Sequence, residues 1–137
     1  MNILLFRKQI ETLLYGLIGE YTLSPGVTTP SVRVREGEEH LDENIAVSGL
    51  EVILEISDSM AQRPIYSGIP TQGRYGVRLV QWSGSDYDQA VQRIRSAYPT
   101  HSFFPIRPPV GLGPSKQCLI EVLSSTFVVP EFTIEAP

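Results

Sequence analysis

Apolar positions first recur at a helical spacing. Ile3, Phe6, Ile10, Leu13, Leu14, Leu17 and Ile18 lie three or four residues apart, so one stripe of a helix over residues 2–19 collects them. Arg7, Lys8, Glu11 and Thr12 take the opposite side. Leu4, Leu5 and Tyr15 widen the apolar band, which predicts a helix covered twice, by its own sheet and by a neighbour. Gly19 is the expected terminator, and Pro25-Gly26 ensures that the helix has stopped.

The period then drops to two. Val32 and Val34 alternate with Arg33 and Arg35 in a short extended piece over residues 31–35. Over residues 50–57, Leu50, Val52, Leu54 and Ile56 share one face and Glu51, Ile53 and Glu55 the other. That pattern predicts a half-buried antiparallel strand whose acidic face meets water or a basic partner. Residues 74–82 repeat the alternation, with Tyr75, Val77 and Leu79 opposite Arg74, Arg78, Val80 and Trp82. The second of these faces mixes charge with large apolar groups, as a face partly covered by a partner would. A turn at Ser83-Gly84-Ser85 leads to a helix over 87–98, capped by Ser85 or Asp86 and ended by Pro99. Its predicted buried stripe is Tyr87, Ala90, Val91, Ile94, Ala97 and Tyr98. A last long strand covers 116–129, and the tail beyond it is extended.

Two long connections interrupt these elements. Residues 57–73 hold Arg63, Ile65, Tyr66 and Ile69 among prolines and glycines. Aromatic and β-branched groups gain little in solvent, so the segment suits a hairpin arm docked on a neighbouring subunit; local packing under the loop is the plainer alternative. Residues 99–115 carry too much proline for a central strand and predict an ordered loop or edge segment anchored by Phe103 and Phe104. In sum, one domain over residues 1–137 is predicted. It is an α+β sandwich, with an antiparallel or mixed sheet, two helices packed on one face and a long β-hairpin arm.

Composition fits that picture: 137 residues suit one domain, and a 42% hydrophobic content supports a core. A net charge of −4 argues against a primary nucleic-acid binder, which needs a basic face. The charge is uneven. Glu36, Glu38, Glu39, Asp42, Glu43, Glu51, Glu55 and Asp58 fall in a stretch without Lys or Arg, whereas basic residues gather later in the chain. Such halves can meet head to tail between copies, although a solvated acidic loop explains the first half equally well. The single Cys118 sits in the apolar run CLIEVL and reads as a small buried hydrophobe. No signal-peptide pattern and no apolar run of ~20 residues is present, so a soluble, unexported protein is expected.

Catalytic patterns do not emerge. His40 and His101 stand far apart and outside metal-ligand spacings, and the carboxylates around His40 lack the ligand alternation of a calcium loop. There is no GxSxG, and VGLGPSK breaks a phosphate-binding loop with proline. Arg74, Arg78 and Trp82 approach a base-stacking platform, but Tyr75 lies on the opposite face. No catalytic, cofactor-binding or metal-ligating residue is assigned, and no enzymatic activity is expected.

The order of elements is where a resemblance arises. An N-terminal amphipathic helix, an antiparallel sheet with a long hairpin, a second helix opened by SGSDYDQAVQRIRSAYP and a closing strand resemble the tail-terminator and head–tail connector proteins of long-tailed phages. The resemblance covers most of the chain but lies in the element order alone; residues 36–43 and 99–115 have no counterpart in it. It implies a structural virion protein of the tail or neck, assembled in the host cytoplasm as a homo-oligomeric, typically hexameric, ring. The ring would cap the tail tube, join it to the head connector and leave a channel through which DNA passes without specific binding. On that reading Arg63, Ile65, Tyr66, Ile69, Arg74, Arg78, Trp82, Phe103 and Phe104 make subunit contacts. Glu36, Glu38, Glu39, Asp42 and Glu43 form an acidic face or line the lumen. Another neck, minor-tail or baseplate adaptor is the alternative. A small enzyme comes last, and a defined pocket with converging polar groups would favour it.

Overall fold

The computed structural model describes residues 3–35, 45–56, 72–107 and 113–125. Helix α1 (Ile3–Leu13) leads into the hairpin β1 (Glu20–Ser24) and β2 (Val27–Pro30), then β3 (Val32–Val34), β4 (Ala46–Ser48) and β5 (Leu50–Ile56). β6 (Gln72–Gln81), helix α2 (Tyr87–Ala97), β7 (His101–Ile106) and β8 (Lys116–Ser125) complete the order. A large sheet runs β3-β5-β6-β8-β7, and a small one runs β2-β1-β4. The large sheet is mixed, because β3 lies parallel to β5 while every other pair is antiparallel. The fold is therefore α+β, with both helices on one face of the large sheet.

That face holds the core. Phe6 and Ile10 from α1 and Ala90 and Ile94 from α2 pack on Val52, Leu54, Tyr75, Val77, Leu79, Cys118 and Ile120, all buried. The Phe6 ring stacks on Tyr75 at 4.4 Å, which fixes α1 over the middle of β6. Two departures from the predicted stripes are local. Ala97 is exposed on the last turn of α2, and Asp86 sits at the N-cap without bonding through its side chain. Arg93 of α2 donates to Leu13 O at 3.1 Å and Tyr15 O at 3.2 Å, meeting the unpaired carbonyls at the end of α1.

Helix α1 stops six residues before its predicted end. Gly16, at φ +87°, turns the chain out of the helix, and Gly19 serves a different purpose. Its N–H donates to Leu50 O at 2.8 Å and its carbonyl accepts from Ser31 N–H at 3.0 Å, so the chain crosses directly over the start of β5. A Cβ at Gly19 would fall 2.0 Å from Ser48 O. Only a residue without a side chain fits there.

The small sheet is absent from the sequence prediction, and so is β4. The acidic face of β5 meets basic side chains and not open water: Glu51 faces Arg33, Glu55 faces Arg35 and Arg78, and Glu51 is 5% exposed and Ile53 8%. Tyr21 of β1 and Trp82 reach over that end of the strand and cover it. Residues 99–115 do supply an edge segment, as their proline content required, in the form of β7. The predicted 57–73 arm, with Arg63, Ile65, Tyr66 and Ile69, lies outside the described residues apart from the start of β6. The acidic Glu36, Glu38, Glu39, Asp42 and Glu43 and the end of the predicted last strand, 126–129, also lie outside them.

Candidate interaction face

Strand pairing decides which side chains share the second face of the large sheet. Arg33 opposes Ile53, Ile53 opposes Arg78, Arg78 opposes Leu119, and Leu119 opposes Phe104. These five residues make one row across all five strands. Glu51, Val80, Gln117 and Ile106 form the row on one side of it, and Glu55, Gly76, Glu121 and Ser102 the row on the other. Neither helix packs here. Burial falls off along the central row, from Ile53 at 8% exposed to Phe104 at 47%.

The inner half of the face is a charge network. Glu51 accepts from the Tyr21 hydroxyl at 2.6 Å and from Trp82 Nε1 at 2.8 Å. Arg33 Nε lies 3.5 Å from the same carboxylate, an ion pair without hydrogen-bond geometry. A buried carboxylate needs such partners to offset its lost hydration. Glu55 pairs with Arg35 at 3.0 Å and more loosely with Arg78 at 4.0 Å. Burial raises the Tyr21 phenol well above its ordinary value, and the bond to Glu51 adds to that; Arg33 pulls the other way and is outweighed. The outer half, on β8 and β7, sets Leu119, Ile106 and Phe104 among Gln117, Glu121 and exposed Ser102.

Each edge of the large sheet carries one obstacle to a further strand. Arg7 of α1 donates to Val32 O at 3.1 Å on the β3 edge. On the β7 side, Leu123 N–H donates to Thr100 O at 3.2 Å. Antiparallel alternation from that bond turns the amide edges of His101, Phe103 and Pro105 outward. Pro105 has no N–H to offer, so proline interrupts the exposed edge.

The residues that the sequence marked for subunit contacts thus separate. Arg74, Arg78 and Phe104 share the second face, and Trp82 stands at its inner end, joined to Glu51. Phe103 falls in the opposite row, beside Ile120, where it packs against the core with the Arg95 guanidinium 5.4 Å from its ring. Glu51, Tyr21 and Arg33 were not singled out as a group. They come from three strands with no fixed spacing, and only alternation around Glu51 hinted at its place.

Other parts of the molecule offer less. A cleft of about 410 Å³ between the end of α1 and the β1–β2 hairpin is lined by Glu11, Tyr15, Ile18, Glu20, Thr28 and Thr29. Glu11 is already paired with Arg7 at 3.3 Å, and Glu20 is exposed. His101 receives a hydrogen bond from Arg95 and contacts Tyr98 O, a structural arrangement. Burial raises the Cys118 thiol, against weaker opposing help from Tyr87 and Leu79, so it is a poor nucleophile. Among the described residues no three His, Cys, Asp or Glu side chains group as metal ligands, and no helix is long and apolar enough to cross a membrane. Comparison with protein-family models, curated proteins and solved structures gave no significant match.

Proposed function

We propose that this chain is a structural subunit of a phage tail-terminator ring, which caps the tail tube and joins it to the head connector. The observation that carries the reading is the second face of the large sheet. It combines a charge network with an apolar margin that ends in exposed Phe104, while Arg7 caps a carbonyl of the β3 edge and Pro105 interrupts the β7 edge. Such a surface suits side-chain packing against another folded protein better than strand addition or substrate binding. Two unlike surfaces on one chain also permit the head-to-tail contacts from which closed rings are built. The virion neck is the corresponding location, with tail-tube and connector proteins as further partners; the ring leaves a channel for DNA, and no catalytic step is involved.

The test has two parts. Light scattering on the purified chain, alone and with tail-tube protein, should show a species several times the 15.2 kDa monomer. Tubes assembled in its presence should also stop growing, as read by their length in electron micrographs. A protein that stays monomeric with tube protein and leaves tube length unchanged would rule the reading out.

A further inference from the structure

Large apolar residues interrupt the outer side of α1. Leu4, Lys8, Glu11 and Tyr15 follow one another at spacings of four, three and four, the rhythm of a helix seam that meets a second helix. The stripe points away from the core: Phe6, Ile10 and Leu14, on the opposite side, are fully buried, whereas Leu4 is 61% and Tyr15 83% exposed. Lys8 is exposed between them, and exposed Leu5 and Thr12 run alongside. Tyr15 lies just past the last helical residue, and its N–H donates to Thr12 O at 3.3 Å, which continues the turn and keeps Tyr15 in line. The core accounts for one side of this helix and leaves the other without a covering layer among the described residues.

We propose that two copies of this chain pair through α1, antiparallel across a two-fold axis that passes between Lys8 and Glu11. The order of the stripe selects a second copy as the occupant. It reads apolar, cation, anion, apolar, so it is its own complement when reversed. Leu4 of each copy then meets Tyr15 of the other, and Lys8 of each meets Glu11 of the other. Parallel alignment would set Lys8 on Lys8 and Glu11 on Glu11, and like charges in contact are costly. Glu11 is paired with Arg7 at 3.3 Å within its own chain, yet its side chain stays 41% exposed, and a carboxylate has acceptor sites for a second cation. A contact of one patch with itself closes at two copies, so it is separate from the head-to-tail contacts of a ring and does not rest on that reading.

Sedimentation equilibrium of the full-length chain tests it. A contact along one short helix falls below the ~800 Å² per partner of a tight complex, so the dimer is weak, with a Kd on the order of 100 µM. The average mass should rise from 15.2 kDa toward twice that value as concentration increases. Lys8→Glu and Glu11→Lys, both on the exposed stripe, should each weaken the dimer on the order of tenfold. An equimolar mixture of the two variants should restore it, because both charged contacts then join a carboxylate to an ammonium again. A mass that stays at 15.2 kDa up to ~1 mM would overturn the pairing, and so would a dimer that both reversals leave unchanged. Neither result bears on the ring reading, which stands or falls with tail-tube protein present.

Discussion

The two faces of the large sheet are built from alternate residues of the same strands, yet they are stabilised in different ways. On the helix side, Val34, Leu54, Val77, Ile120 and Phe103 form a continuous apolar row under α1 and α2. One residue along each strand, the row is Arg33, Ile53, Arg78, Leu119 and Phe104. The first face gains its stability from excluded water. The second relies on ion pairs and hydrogen bonds at its inner end and leaves its outer end exposed. A sheet can therefore devote one side to apolar packing and the other to polar pairing, and the pleat alone keeps them apart.

Substitutions can measure how far that division holds. Phe6→Ala, on the helix side, should have the largest effect, a loss of ~3–5 kcal/mol in urea unfolding, because it empties a fully buried site against Tyr75. A loss below 1 kcal/mol would show that α1 is not integral to the core. Glu51→Gln, on the other face, should cost about 2 kcal/mol; Arg33 is partly exposed, and water can replace some of what it loses. Tyr21→Phe should cost about 1 kcal/mol, and a much smaller penalty in the Glu51→Gln background would show that the two act together.

Alkaline pH probes the phenols of both faces. Burial raises Tyr75 and pushes Tyr98 up to about 12 on the helix side, and raises Tyr21 on the other. The folded state thus holds these protons more tightly than the unfolded chain, whose phenols titrate near 10.0. Their stabilisation is complete below that value and is lost as pH rises through the folded-state values. Unfolding midpoints should therefore fall above pH ~10, and the phenolate absorbance of the buried tyrosines should appear together with unfolding. Titration of every tyrosine near 10 in a still-folded protein would contradict the burial described. Phe104→Ser should have the smallest effect on the fold, within about 0.5 kcal/mol, while lowering the assembled fraction seen by light scattering. An equal loss of stability and assembly would make Phe104 a core residue in practice.

The helix-side half of the fold was legible because burial leaves a period. Strands β5 and β6 alternate cleanly, and the stripes of α1 and α2 point to the right partners, including the opposition of Tyr75 to Arg74 and Arg78. The small sheet left no such trace. Its sequence, EYTLSPGVTTP followed by AVS, exposes residues on both sides, so no apolar alternation marks it. Pairing β1 with β4 also joins residues far apart in sequence. The cluster at Glu51 was hidden for a related reason. An acidic residue at an alternating position reads as solvent-facing unless its covering residues, Tyr21 and Trp82, are already known to lie above it.

The crossing of Gly19 over Ser48 and Gly49 has a consequence for how the chain can change. A methyl group at Gly19 has nowhere to go, so this joint tolerates no variation. Past it, the tip of the hairpin makes few demands on the rest of the molecule. The sequence from Leu23 to Val27 is thus free to vary while the body of the protein is inherited unaltered, with the Gly19 crossing marking the border between the two.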